Sequence, residues 1–439
     1  MIASNVKIID ELKSFIKHVK EEKLFFSSEK DFTKERKLPF ERLVYLLMNM
    51  LKKSLSIELN EFFETIQQAD QCCSKAAFSL QRMKLQYDFF AWWNVILVNS
   101  FYSHYGDEVK RWRGYRLMAV DGSTAYLINK QEVIDYFGVQ NNQSVSVAMG
   151  RIILLYDVLN EINISSHLLP ITCSEQEAVN ELIPFYDSDV LAIYDRGYPS
   201  FTSIYLHLTH EQERKFVMRS RTGFNREVKD FMRSKDKSRV VDFKAGRKSV
   251  TDLAKHGYIV TTSSSVKVRL IKVKLDTGVT EVLITNLYDE TNYPTALFKE
   301  LYFKRWGVET NCNLQKNTLQ LEAFSGQKVN TILQDFYASV FITNLQSIIS
   351  KQCNKELIHK TKHRKHRYKI NRNVAMGMMK NRVVRLFTTK TPKQILLELE
   401  KLFLNHLEPI RPHRKYNRVI KCKRTKGKYQ TLTNYKRAI

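Results

Sequence analysis

Residues 301–316 read LYFKRWGVETNCNLQK. Within this run Tyr302, Arg305, Glu309 and Lys316 stand at offsets of three, seven and fourteen. An α-helix turns about 100° per residue, so these four positions fall in one narrow stripe. Leu301, Val308, Cys312 and Leu319 fall on an adjacent stripe that would bury the helix. The pattern therefore predicts a helix with one carboxylate on a polar face, beside an Arg, a Lys and a phenol. That set suits a metal-bound phosphate better than a core. A continuous helix would place Tyr302 about 21 Å from Lys316, a reach that spans several phosphates of one strand. The bland alternative is a solvated helix face with Arg305 and Glu309 as an i,i+4 ion pair.

Two further stretches carry a carboxylate after an apolar run. Residues 118–123 read MAVDGS around Asp121, and residues 192–198 read AIYDRGY around Asp195. Either alone reads equally well as a strand closing in a turn. Taken in order with the first stretch, they are similar to the motifs of bacterial insertion-sequence transposases of the DDE class, in the subgroup called insertion-sequence-four. Y-(2)-R-(3)-E-(6)-K is the signature of that group. The resemblance runs from roughly Arg113 to Phe324. It implies an RNase H-like (retroviral-integrase-like) catalytic core, with Asp121 on the first strand, Asp195 at the end of the fourth, and a β-rich insertion before Glu309. It also implies a Trp in the insertion that stacks on a flipped base. The Trp residues here are 92, 93, 112 and 306, all outside that region, which leaves Tyr258, Tyr288 or Tyr293 as substitutes.

The charge distribution points to a polyanion partner. Net charge is +26 over 439 residues. Residues 351–439 hold 26 Lys and Arg against four Glu and no Asp, a net +22, so the first 350 residues carry only +4. His363, His366, Tyr368, Tyr416, Tyr429 and Tyr435 interleave with that charge, a pairing that suits nucleic acid better than plain solvation. The six cysteines (72, 73, 173, 312, 353 and 422) form no CxxC pair and no Cys/His cluster at zinc spacing, which predicts neither a zinc site nor disulfides. No signal-peptide pattern opens the chain, and no apolar run reaches membrane-spanning length. A cytoplasmic, nucleoid-associated protein is the expectation.

Periodicity divides the chain into four parts. Residues 1–110 read as helices, and two short ones with a tight connection match a helix-turn-helix. Ser74 is the expected N-cap of the second, which would offer Ser79, Gln81, Arg82 and Lys84 to a groove. Residues 111–215 alternate strands and helices, and with the helical residues 291–350 make an α/β catalytic core. Residues 216–290 read as the β-rich insertion, with a hairpin turn at residues 276–278. Residues 351–439 are the basic, helical C-terminal region.

Cutting a DNA strand needs an oxygen nucleophile, charge neutralisation and in-line geometry, which two divalent ions about 4 Å apart supply together. Mg²⁺ prefers carboxylate oxygen, with Mn²⁺ as the substitute. The resemblance assigns Asp121, Asp195 and Glu309 as catalytic metal ligands, with Asp121 bridging. Asp135, Asp157 and Glu161 are rivals that lack the surrounding motifs. Tyr302, Arg305 and Lys316 would hold phosphates of DNA, and Arg196, Arg219 and Arg221 are further candidates. The expected protein is a cut-and-paste transposase. It would bind terminal inverted repeats of double-stranded DNA, cleave the ends by hydrolysis and join the 3′-OH to target DNA, working as a homodimer. The alternatives are an RNase H-like nuclease or resolvase that does not join ends, and a catalytically silent, domesticated DNA-binding protein.

Overall fold

The computed structural model describes residues 1–34, 36–141, 146–209, 212–275 and 278–411. The chain divides into two units. One holds Lys110–Thr124 and Arg151–Cys312, and the other holds Met1–Val109, Ala125–Gly150 and Asn313–Ile439. The strands are β1 (Arg116–Tyr126), β2 (Val139–Asn141), β3 (Ser146–Asp157), β4 (Ile162–Pro170), β5 (Val190–Tyr194), β6 (Lys215–Arg219), β7 (Ser238–Lys244), β8 (Ser265–Lys274) and β9 (Thr280–Thr285).

The first unit is built on a mixed sheet. β4 pairs with β3, and from β3 the sheet continues in the order β1-β5-β6-β9-β8-β7. β1, β5 and β6 are parallel neighbours, while β9, β8 and β7 continue the sheet antiparallel. Residues 190–194 are buried throughout, as a parallel strand covered on both faces must be. Alternation along the strands sorts the apolar residues into two cores. Met118, Val120, Ala192, Tyr194, Phe216 and Met218 face one side, which the helices Glu175–Leu182 and Phe201–Leu208 cover. Leu117, Leu191, Ile193 and Val217 face the other, where the helix Leu297–Phe303 packs through Phe298, Leu301 and Tyr302.

The strands expected to form an insertion belong to this same sheet. The apolar run Phe216–Met218 is fully buried and pairs parallel with β5, and β7, β8 and β9 extend the sheet beyond it. β8 and β9 pair as the expected antiparallel hairpin, while residues 276–277 of its turn lie outside the described residues.

Among its described residues the other unit is mostly helical, with strand pairs of β2 with the start of β3 and of Arg367–Ile370 with Leu407–Ile410. Its axis is Val329–Gln352, a helix buried on nearly all sides, as a helix at the centre of a bundle must be. Trp93 of the helix Asp88–Tyr105 stacks on Phe341 at 3.9 Å between ring centroids. Asn94 and Asn344 satisfy each other at 2.8 Å in the same contact. The basic end takes part in this core, since Met376, Met379, Leu396, Leu399 and Phe403 are all buried. Arg364 lies over the Tyr368 ring at 4.6 Å. Tyr416, Cys422, Tyr429 and Tyr435 lie outside the described residues. Among the described residues, no helix is long and apolar enough to cross a membrane.

Candidate active site

Strand register brings the two aspartates together. Val120 is the partner of Tyr194 across the parallel β1–β5 pair, so Asp121 and Asp195 are the next residues out on neighbouring strands. Parallel strands lie about 4.8 Å apart, so the two carboxylates start from adjacent backbone positions. β6 extends the row, because Tyr194 pairs with Met218 and Arg219 therefore stands beside Asp195. Continuing the alternation places Asp121, Asp195 and Arg219 on the face of Leu117, Ile193 and Val217. That is the face where the helix Leu297–Phe303 packs.

The run that opened the sequence reading is not one continuous helix. Leu297–Phe303 ends before Lys304, a turn takes residues 304–305, and a second helix spans Trp306–Asn313. Gly307 opens that second helix, and a Cβ there would meet the Val158 side chain at 3.3 Å, so its backbone lies against the β3–β4 turn. Tyr302 and Arg305 consequently do not lie on a solvated face. They are 7% and 5% exposed. Arg305 Nη2 donates to Glu309 Oε1 at 2.5 Å. The Tyr302 hydroxyl and Arg305 Nε are buried with no hydrogen-bond partner among the described residues. Arg219 donates to Glu281 at 2.5 Å.

The electrostatics are those of an acid cluster awaiting a counter-charge. Burial pushes the Asp121 carboxyl up to about 7, against the pull of nearby Arg305, and Glu309, Asp195 and Glu175 push it further up. Burial also raises the Tyr302 phenol to about 12. Asp195 is held by a local turn in which the Gly197 N–H donates to its Oδ1 at 2.6 Å. Among the described residues no three His, Cys, Asp or Glu side chains converge closely enough to enclose an ion, and Glu309 is turned onto Arg305. The donor chemistry nevertheless fits a hard divalent cation, since the Glu309 and Asp195 carboxylates act on the desolvated Asp121 carboxylate. The unpartnered Tyr302 hydroxyl and Arg305 Nε fit a phosphate oxygen.

Glu175 is the functional candidate that sequence reasoning missed. It opens the helix Glu175–Leu182, where Ser174 is the N-cap. Its carboxyl occupies the space beside Gly122, so that a Cβ on Gly122 would lie 2.1 Å from it. It accepts a hydrogen bond from the Tyr198 hydroxyl and pairs with Arg151 at 3.5 Å. The only trace in the sequence is the glycine after Asp121 and the tyrosine three residues after Asp195. Neither reveals its partner.

Other expected residues lie elsewhere. Lys316 is half-buried in the π-helical turn Leu314–Thr318 of the helical unit. Arg82, expected to face a groove, is 1% exposed and is a buried strut. It donates to Gln334, Ser325, the Thr331 carbonyl and Asp335 at 2.6–2.7 Å. Ser74 caps the helix Lys75–Arg82 as the sequence predicts, but Gln81 also points inward, to the Leu38 carbonyl. Lys84 lies 3.9 Å from Asp31 and over the Phe32 ring. Among the rivals, Asp157 is fully buried and accepts from the Leu159 and Asn160 N–H groups, closing the β3–β4 turn. Asp135 accepts from Gln131 on a short helix, and Glu161 takes a positive φ in the β3–β4 turn. The aromatic substitutes are all engaged: Tyr258 with Tyr205, Tyr288 with the Lys267 carbonyl and Tyr293 with Trp112.

The family's "Transposase DDE domain" model matches residues 112–345, more than half of the chain and inclusive of Asp121, Asp195 and Glu309, and the chain belongs to that family. It is a transposase of the DDE class, an enzyme family whose domains generally use divalent metal ions. Among solved structures the chain is similar to a piggyBac transposase in a cryo-EM synaptic complex with hairpin DNA. The identity is 11% and the TM-score 0.40, over 90% of this chain and 83% of that one. No curated protein matches.

The raised Asp121 carboxyl has a measurable consequence. A carboxyl with a raised folded-state pKa favours the folded state at pH below its ordinary 3.8 and loses that advantage as pH rises through about 7. In chelator, the melting temperature of Asp121→Asn relative to wild type therefore increases from pH 4.5 to pH 8. Thermal melts across that range measure it. A constant difference would mean that the carboxyl is not strained.

Proposed function

We propose that this chain is a cut-and-paste DNA transposase of the insertion-sequence-four type, with an RNase H-like core. The observation that carries the reading is the row at the strand ends, where Asp121 and Asp195 occupy neighbouring register positions with Glu309 and Arg305 close to Asp121. The strand order supports it. Without the three-residue β2, the order β4-β3-β1-β5-β6, with Asp121 on the first strand and Asp195 after the fourth, supports an RNase H-like core. Asp121, Asp195 and Glu309 would hold two Mg²⁺ ions, or Mn²⁺. When bound, such ions supply charge neutralisation at the phosphate and activation of the oxygen nucleophile.

The chain's own residues do the rest. Arg305 gives up or shares Glu309 as the phosphate arrives, and its buried Nε and the Tyr302 hydroxyl meet phosphate oxygens that would otherwise be unpaired. Glu281 holds Arg219 in the row beside Asp195. The N-terminal helices 1–110, with Lys84, read terminal inverted repeats of double-stranded DNA, and Lys316 adds a phosphate contact. The basic region 351–439 supplies sequence-independent attraction. Paired ends require at least a homodimer, acting in the cytoplasm on the nucleoid.

Purified protein with Mg²⁺, a duplex carrying the element's end and a supercoiled target plasmid tests this. The expected products are 3′-OH ends cut at the element boundary and joined to the plasmid. Cleavage without joining would replace the reading with an RNase H-like nuclease, and binding without cleavage would replace it with a silent DNA-binding protein.

A further inference from the structure

A cavity of about 700 Å³ opens in the sheet unit from the residue that follows the second aspartate. Gln176 of the helix Glu175–Leu182 lines it, and the rest of its wall comes from the chain following β5, β6 and β7. Arg196 and Ser200 follow β5, Arg221 and Asn225 follow β6, and Lys244 and Gly246 close β7. No Asp or Glu lines it. Arg221 Nε donates to the Arg196 carbonyl at 3.1 Å. The Arg196 and Lys244 side chains have no acidic partner among the described residues. Three cations thus share one concave wall with no counter-charge, an arrangement that repels itself unless an anion enters.

The backbone adds to the same field. Three helices begin at this cavity, Phe201–Leu208, Arg226–Arg233 and Arg247–Lys255, capped at Ser200, Asn225 and Gly246. Each brings the positive end of its dipole and its first-turn N–H groups. The Ser200 and Asn225 side chains each satisfy one N–H, whereas Gly246 offers no side-chain cap. Phe243 and Phe201 are buried beneath, and Phe224 packs on Phe243 at 5.7 Å. This apolar floor keeps the local dielectric low and strengthens attraction for an anion.

We propose that this cavity is a second phosphate site, which takes backbone phosphates of the DNA strand whose reacting phosphate lies at Asp121 and Asp195. It rests on the reading of the chain as a DNA-processing enzyme. Asp195 and Arg196 are consecutive, so their Cα atoms are about 3.8 Å apart. Acidic and basic groups therefore meet at consecutive residues after β5, with the reacting phosphate on the acidic side and its neighbours on the basic side. Contacts of this kind fix the strand's position without reading its sequence.

The test uses the full-length protein with Ca²⁺ in place of Mg²⁺. The probe is a fluorescein-labelled duplex of arbitrary sequence with a single-stranded 3′ extension, titrated over a range of salt. Arg221→Gln with Lys244→Gln removes two cavity charges. Lys229→Gln with Arg233→Gln removes two exposed charges from the helix Arg226–Arg233, off the cavity wall. The cavity pair should flatten the slope of log K against log salt by about 2, equally on two unrelated sequences. The control pair should change it far less. Equal slopes for the two pairs would overturn the proposal and leave the transposase reading standing. No DNA binding by the wild-type protein would overturn both. If Arg221→Gln lowers the melting temperature by freeing the Arg196 carbonyl, Arg196→Gln carries the comparison, because its side chain bonds to no described residue.

Discussion

Asp121→Asn, Asp195→Asn and Glu309→Gln should each abolish strand cleavage while leaving the affinity for intact DNA unchanged or slightly higher. The expected loss is roughly a thousandfold or more, the scale of removing one member of a group that acts as a unit. Each substitution keeps the shape of the side chain and removes the charge that a divalent ion would need. Each also relieves repulsion, because Glu309, Asp195 and Glu175 all push the Asp121 carboxyl upward. The apo Asp121→Asn and Asp195→Asn variants should therefore fold at least as well as wild type, which separates a chemical defect from a structural one, whereas Glu309→Gln also weakens the ion pair with buried Arg305 and is compared with its own melt. Glu175→Gln provides the contrast. It stands beside Gly122 and is held by Tyr198 and Arg151. As a residue acting through Asp121, it should cost about 10–100-fold. Cleavage rates with saturating DNA, alongside melts in chelator, make the comparison. Activity within a few-fold of wild type in any one of the first three variants would remove that residue from the centre.

Arg82→Ala should destabilise the helical unit by about 3–5 kcal/mol, the scale for stripping one partner from a buried charge pair. The guanidinium is 1% exposed and ties the helix Lys75–Arg82 to Val329–Gln352 through Gln334, Asp335 and the Thr331 carbonyl. Removing it leaves the half-buried Asp335 beside an empty space and without its guanidinium partner, while Ser325 still donates to it. Lys84→Ala, three-tenths exposed at its side chain and 3.9 Å from Asp31, should cost less than about 1 kcal/mol and weaken DNA binding instead. Denaturant unfolding and DNA titration of both variants distinguish the roles. Unchanged stability with lost DNA affinity in Arg82→Ala would return that residue to the groove.

The two aspartates show what a local pattern can carry. Residues 117–120 and 190–194 are apolar runs, and each is followed by an Asp. β1 runs on through Asp121 to Tyr126 instead of closing in a turn. The strand character of both runs and the position of Asp195 just past β5 are legible because they depend on neighbours along the chain. The same holds for Ser74, whose cap needs only the N–H three residues on. The stripe from Tyr302 to Lys316 marks the limit. Its spacing predicts one helix, but the backbone breaks at residues 304–305 and turns π-helical from Leu314 to Thr318. Helical periodicity reports an average direction and is insensitive to a turn whose cost is repaid by burying Tyr302 and Arg305.

Charge and spacing by themselves determined which residue types this protein presents, in what order, and that its basic charge gathers at one end. Tertiary structure alone decided which of them meet. Arg82 reads as a surface cation because arginine usually is one. It is buried because Gln334 and Asp335, some 250 residues away, supply its hydrogen bonds. Glu175 reads as an ordinary first-turn acid until Gly122, 53 residues earlier, is seen to leave space for its carboxyl. Arg196 and Arg221 stand on separate loops and Lys244 ends β7, and they share a cavity only because β5, β6 and β7 lie in one sheet. The physical reason is common to all three: backbone preferences act over a few residues, whereas a side chain's desolvation and pairing are set by whatever distant segment folds against it.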